Sequence, residues 1–99
     1  MVRINFDHNH IAEFCRKRHI KELSLFGSVL RDDFRSDSDV DVLVVFGDDA
    51  DKDLRTYLET EEELRAIFGR DVDLVEKSAV RNPFRRHHIL NNREVVYES

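Results

Sequence analysis

The sequence predicts an α/β (α+β) protein, a small mixed β-sheet with helices packed on it. Three observations carry that expectation. Apolar residues recur at helical spacing in some segments and alternate or run continuously in others. The two kinds of segment alternate along the 99 residues instead of separating into halves. Gly, Pro, Asp and Ser punctuate the boundaries between them.

From Asp7 to His19, Ile11, Ala12, Phe14 and Cys15 recur at helical spacing, with Asn9 or Asp7 able to cap the start, so a first helix is expected. Leu23 and Leu25 flank Ser24 before Phe26, and Gly27-Ser28 then interrupts, which reads as a short strand ending in a tight turn. The stretch Val29 to Phe34 suits about one or two helical turns, and the polar loop Arg35-Ser36-Asp37-Ser38 follows it. Asp39 to Phe46, rich in valine, suits a strand in the middle of a sheet. An acid-capped helix is expected from about Asp51 to Phe68, striped by Leu54, Leu58, Leu64, Ile67 and Phe68 and ended by Gly69. Val72 to Val75 reads as a third strand. Pro83 opens a short basic helix through Leu90, and Glu94 to Tyr97 reads as a last strand or an extended tail.

Composition narrows the function classes. A chain of 99 residues suits one domain, residues 1–99, too small to hold a catalytic domain beside a separate substrate-binding one. With 40% hydrophobic and 37% charged residues, a disordered chain is excluded. No apolar run is long enough for a bilayer and the N-terminus lacks a signal-peptide core, so a cytoplasmic protein without membrane association is expected. The net charge of −5 argues against general nucleic-acid binding. The single Cys15 cannot close an intramolecular disulfide and is expected in the core. His8 and His10, like His87 and His88, lack partners at metal-ligand spacing and are expected on the surface. Arg81, Arg85 and Arg86 form a basic cluster, read as a solvated face, with an acidic partner or RNA as the alternative.

The chemistry concentrates around Asp39 and Asp41. Aspartate is disfavoured in strands, yet these two stand two residues apart on one face of a valine-rich strand. Same-face residues lie about 7 Å apart along a strand, so the carboxylates can converge on ions held about 4 Å apart. Hard oxygen ligands select Mg²⁺ or Mn²⁺ over zinc. Asp73, in the next predicted strand, is the preferred third carboxylate, and Asp71, on the same predicted face, is its competitor. Gly27 at a strand end lets backbone N–H groups approach a phosphate, beside the Ser28 hydroxyl and the Arg31 guanidinium. An EF-hand is rejected: Asp37, Asp39 and Asp41 match its first three ligands, but Val42 replaces the required glycine. Ser28 as a covalent nucleophile lacks a histidine base.

Gly27-Ser28, ten residues, then Asp39-Val40-Asp41 resembles the signature of the DNA polymerase β-like nucleotidyltransferases, and its compact form resembles the minimal nucleotidyltransferase (MNT) proteins. The likeness runs from about Leu23 to Val75, with one departure: Asp32 follows Arg31 where the family commonly carries glycine. The resemblance implies the polymerase β-like fold, ATP as nucleotide donor and a two-metal Mg²⁺ site, with Mn²⁺ as a substitute. It assigns the triphosphate to Ser28, flanked by Gly27 and Arg31, the metals to Asp39 and Asp41, and to Asp73 the completion of the triad and activation of the acceptor hydroxyl. It also implies an antitoxin of a HEPN/MNT toxin–antitoxin module, working in a homo- or hetero-oligomer. Such an antitoxin transfers AMP to a tyrosine of its cognate HEPN ribonuclease toxin. The alternatives are a non-catalytic binding module that inhibits its partner by complex formation, and a nucleotidyltransferase acting on an antibiotic or other small molecule.

Overall fold

The computed structural model describes residues 4–31, 34–35, 37–51 and 53–99. Helix α1 spans His8–Lys17, started by the Asp7 side chain, which accepts from the N–H groups of Asn9 and His10 and so satisfies two orphan donors. Its Ile11, Phe14 and Cys15 are buried. His19 then takes a left-handed conformation and the chain enters β1, Ile20–Phe26. A 3-10 turn, Gly27–Leu30, leads away from β1, and β2 follows at Val40–Phe46.

Helix α2, Leu54–Phe68, is capped by Asp53 at its start and by left-handed Gly69 at its end. Strand β3, Val72–Glu76, runs into a 3-10 turn at Lys77–Ala79. Helix α3, Pro83–Asn91, begins with proline, whose missing N–H costs nothing there, and β4 is Arg93–Glu98. None of the helices among the described residues is long and apolar enough to cross a membrane.

The sheet order is β3-β2-β1-β4. Strand β1 pairs antiparallel with both β2 and β4, while β2 and β3 are parallel, joined by the crossover helix α2 that such a pair requires. The expected central strand does lie inside the sheet, and the segment from Glu94 is a paired strand, not a tail. One face carries the larger core, where Val40, Val42, Val44, Leu23 and Leu25 meet residues of α1 and α2. On the other face a smaller cluster joins Phe26 and Leu43 to Val80 and to Ile89 of α3.

Two expectations fail locally. The helical stretch after Gly27-Ser28 ends at Leu30; Arg31 is extended, and Phe34 packs on the larger core instead of continuing a helix. Residues 32, 33 and 36, which that stretch and the following loop included, lie outside the described residues. Leu54 and Leu58, expected in the buried stripe of α2, are 71% and 53% exposed. The helix turns inward Tyr57 and Thr60 in their place, together with the expected Leu64, Ile67 and Phe68.

Candidate active site

The strand register assembles one row of residues across the whole sheet. Arg93 stands opposite Phe26, Phe26 opposite Asp41, and Asp41 opposite Asp73. The row crosses the end of the sheet where β1 finishes and the other three strands begin. Alternation along each strand puts Asp41 and Asp73 on the α3 face, beside Leu43 and Val75. Asp39, exposed and two residues before Asp41, points to the same side.

Adjacent strands lie about 4.8 Å apart, so Asp41 and Asp73 form a like-charge cross-strand pair, an arrangement that weakens a sheet. The half-buried Asp41 registers this. Burial pushes its carboxyl above the usual range, the charges of Asp73 and Asp39 push it further, and Arg31 and Arg85 pull it back. Asp71 serves the fold through its backbone: its carbonyl accepts from the Val40 N–H at 2.9 Å. Its exposed side chain lies one same-face step farther out than Asp73.

Gly27 lies directly against Asp41. With φ at +77°, it occupies the left-handed region, and a Cβ built there would stand 2.2 Å from Asp41 Oδ2 and 3.2 Å from its Cγ. No other residue type brings backbone so near this carboxylate. The half-buried Ser28 follows, its carbonyl accepting from the Arg31 N–H at 2.9 Å, while the fully buried Val29 anchors the turn in the core.

Beside this turn opens a cleft of about 560 Å³, with Gly27, Arg31 and Asp41 on one wall and Arg85 and His88 of α3 on another. Helix α3 is fixed there by Ile89 in the smaller core and by Asn82, whose side chain accepts from the N–H groups of Phe84 and Arg85. This wall was missed by sequence reasoning, which grouped Arg85 with a solvated basic face. The structure divides that cluster: Arg86 donates to the carbonyls of Lys77 and Val80, while Arg85 lines the cleft. Arg93, also at the cleft, is held by Glu22 Oε2 at 2.6 Å and Ser24 Oγ at 3.3 Å.

Arg70 fixes the approach to Asp39, another role the sequence did not reveal. Its Nη1 donates to the carbonyls of Arg35 and Ser38 at 3.1 and 3.4 Å, and its guanidinium lies 4.6 Å from the Phe34 ring centroid.

Among the described residues no three acidic, histidine or cysteine side chains are close enough to enclose an ion as they stand. The fit of a hard divalent cation therefore rests on donor chemistry and placement. The acids offer only oxygen ligands, and a cation between them would offset both the burial and the added repulsion that raise the Asp41 carboxyl.

A glycine turn laid against one of several carboxylates, at the end of a sheet backed by helices, defines the class of the nucleotidyltransferases. The nucleotidyltransferase domain family model matches residues 8–96, and the chain belongs to that family. More particularly, its relatives are protein adenylyltransferases. It is 38% identical over 88 residues to protein adenylyltransferase MntA of Thermococcus cleftensis, covering 89% of this chain and 84% of the relative. Among solved structures, one described as a minimal nucleotidyltransferase superposes with a TM-score of 0.72 at 26% identity, covering 88% of this chain and 86% of the other. A chain of a toxin–antitoxin crystal structure with AMP-PNP shares the fold at a TM-score of 0.72 and 21% identity, covering 94% of this chain and 74% of its own length. So does one from the tri-AMPylated Shewanella oneidensis HEPN toxin in complex with MNT antitoxin, at 0.64 and 20%, covering 93% and 70%.

Proposed function

We propose that this chain is a cytoplasmic, Mg²⁺-dependent protein adenylyltransferase and the antitoxin of a two-protein module. It transfers AMP from ATP to a tyrosine hydroxyl of a cognate HEPN ribonuclease toxin and thereby neutralises it. The observation that carries this reading is the juxtaposition of Gly27, Asp41 and Asp73 at one end of the sheet. The identity with a protein adenylyltransferase supports the chemistry, and the shared fold with chains of toxin–antitoxin complexes supports the partner.

Asp39, Asp41 and Asp73 would hold the Mg²⁺ ions, which Mn²⁺ can replace. Bound there, the ions supply charge neutralisation at the reacting phosphate and the leaving group. The Ser28 hydroxyl and the backbone at Gly27 hold the terminal phosphates, and Arg31 offsets their charge. As the acceptor oxygen bonds to the α-phosphorus, the bond from that phosphorus to the bridging oxygen breaks and pyrophosphate leaves. The acceptor's proton passes to the Asp73 carboxylate. Residues 1–99 act as one domain, and the toxin presents the tyrosine in a complex of the two chains.

The test incubates the chain with ATP, Mg²⁺ and the HEPN protein encoded beside it. The toxin should gain mass in AMP units, and the gain should vanish in the Asp39→Ala/Asp41→Ala variant. Inhibition without any adduct would leave only a binding module. Pyrophosphate release with a small hydroxyl compound and no toxin would move the acceptor to small molecules.

A further inference from the structure

We propose that Arg85 is a second phosphate-binding arginine, reaching from α3 across the cleft to the triphosphate tail of the nucleotide. The inference rests on the nucleotidyl-transfer reading above and extends its binding site to a helix outside the motif that runs from Gly27 to Asp41.

Besides Arg31, three arginines lie on this side of the molecule, Arg85, Arg86 and Arg93, and two of these are committed to the fold. Arg86 holds the carbonyls of Lys77 and Val80, and Arg93 is tied to Glu22 and Ser24. Arg85 is exposed on the cleft wall, one helical turn before Ile89, which anchors α3 in the smaller core. The Asn82 cap fixes the backbone from which Arg85 projects, accepting its N–H at 3.2 Å. Arg31 lines the same cleft from the 3-10 turn after β1. Arg31, Asp41 and Arg85 line one cleft, so the carboxylate shares it with cations carried by two separate elements.

Charge decides what such an arrangement is for. Three carboxylates and a triphosphate carry more negative charge than two divalent ions cancel, and the surplus must meet cations fixed in the protein. A guanidinium fork pairs bidentately with phosphate oxygens. A neutral hydroxyl acceptor offers it nothing comparable, so Arg85 belongs to the donor's tail.

The experiment measures binding by calorimetry, without turnover, of α,β-methylene-ATP with Mg²⁺ and of AMP. Arg85→Gln should weaken the triphosphate analogue about tenfold or more, the worth of a lost charge-assisted contact, and leave AMP within about twofold. Arg85→Lys should recover only part of the loss, because it keeps the charge without the fork. Phe84→Ala, one residue earlier and with a side chain 85% exposed, should bind as the parent does. Unchanged affinity for the analogue in Arg85→Gln, an equal loss for AMP, or the same loss in Phe84→Ala would each overturn the assignment while the nucleotidyl-transfer reading stood. Failure of the parent chain to bind either nucleotide would remove both together.

Discussion

At Asp41, burial and the charges of Asp73 and Asp39 raise the carboxyl, while Arg31 and Arg85 oppose them. Its folded pKa therefore lies above the unfolded one. Its contribution to stability is full below the unfolded value and is lost as pH rises through the folded one. At neutral pH the ionised carboxylate consequently works against the fold until a cation meets it. Asp41→Asn should raise the melting temperature of the metal-free protein by a few degrees at neutral pH, while nucleotidyl transfer is lost. Mg²⁺ should stabilise the parent chain and leave this variant unmoved. A metal-free variant that melts below the parent would show the carboxylate to be a fold contact instead. The aspartates in the valine run were legible because they contradict their surroundings. The choice between Asp71 and Asp73 was not, since alternation puts both on one face, and only the cross-strand register sets Asp73 against Asp41. Arg85 was hidden for a similar reason: a basic cluster reads as solvated until the helix carrying it is packed.

Helix α2 shows how an element can be read correctly and turned the wrong way. Its extent, its acidic cap and Gly69 were all visible in the sequence, and Leu64 and Phe68 lie in the core as expected. Leu54 and Leu58 fit the same stripe by spacing, but the buried surface passes through Tyr57 and Thr60, whose polar atoms concealed it. Tyr57 donates its hydroxyl to the Leu74 carbonyl, and Thr60 Oγ1 donates to the Thr56 carbonyl at 2.7 Å, so both can be covered without an unpaired hydroxyl. Leu64→Ala should cost about 2–5 kcal/mol in denaturant unfolding, whereas Leu58→Gln should stay within about 0.5 kcal/mol. A comparable loss at Leu58 would place it under a contact. The strands were easier to read, because valine runs and alternation fix their faces directly. The turn after Gly27 was overextended, since nothing local revealed that Phe34 would fold back onto the core.

Across the whole molecule, the end of α1 is tied to the body of α2 through Glu63, which pairs with Lys17 and accepts from Arg18 Nε and Nη2 at 3.2 and 3.0 Å. Burial raises the Glu63 carboxyl, but the hydrogen bonds from Lys17 and Arg18 outweigh it and hold the group below its ordinary range. Stability from this group is present above the unfolded pKa and lost as pH falls through the folded one. Glu63→Gln should therefore cost on the order of 1 kcal/mol at neutral pH, and its melting curve should converge on the parent's in acid. A gap that persisted in acid would assign the loss to packing. The sheet order has a different kind of consequence. Strand β1 has its partners on both sides, and β4 is the last described strand to be synthesised. At about 5–20 residues per second on the ribosome, several seconds separate the emergence of Phe26 from that of Arg93. Until then β1 has a bare edge and the cleft lacks its α3 wall. Each new copy thus spends that interval unable to act on a substrate, and supply of the working protein lags its own translation.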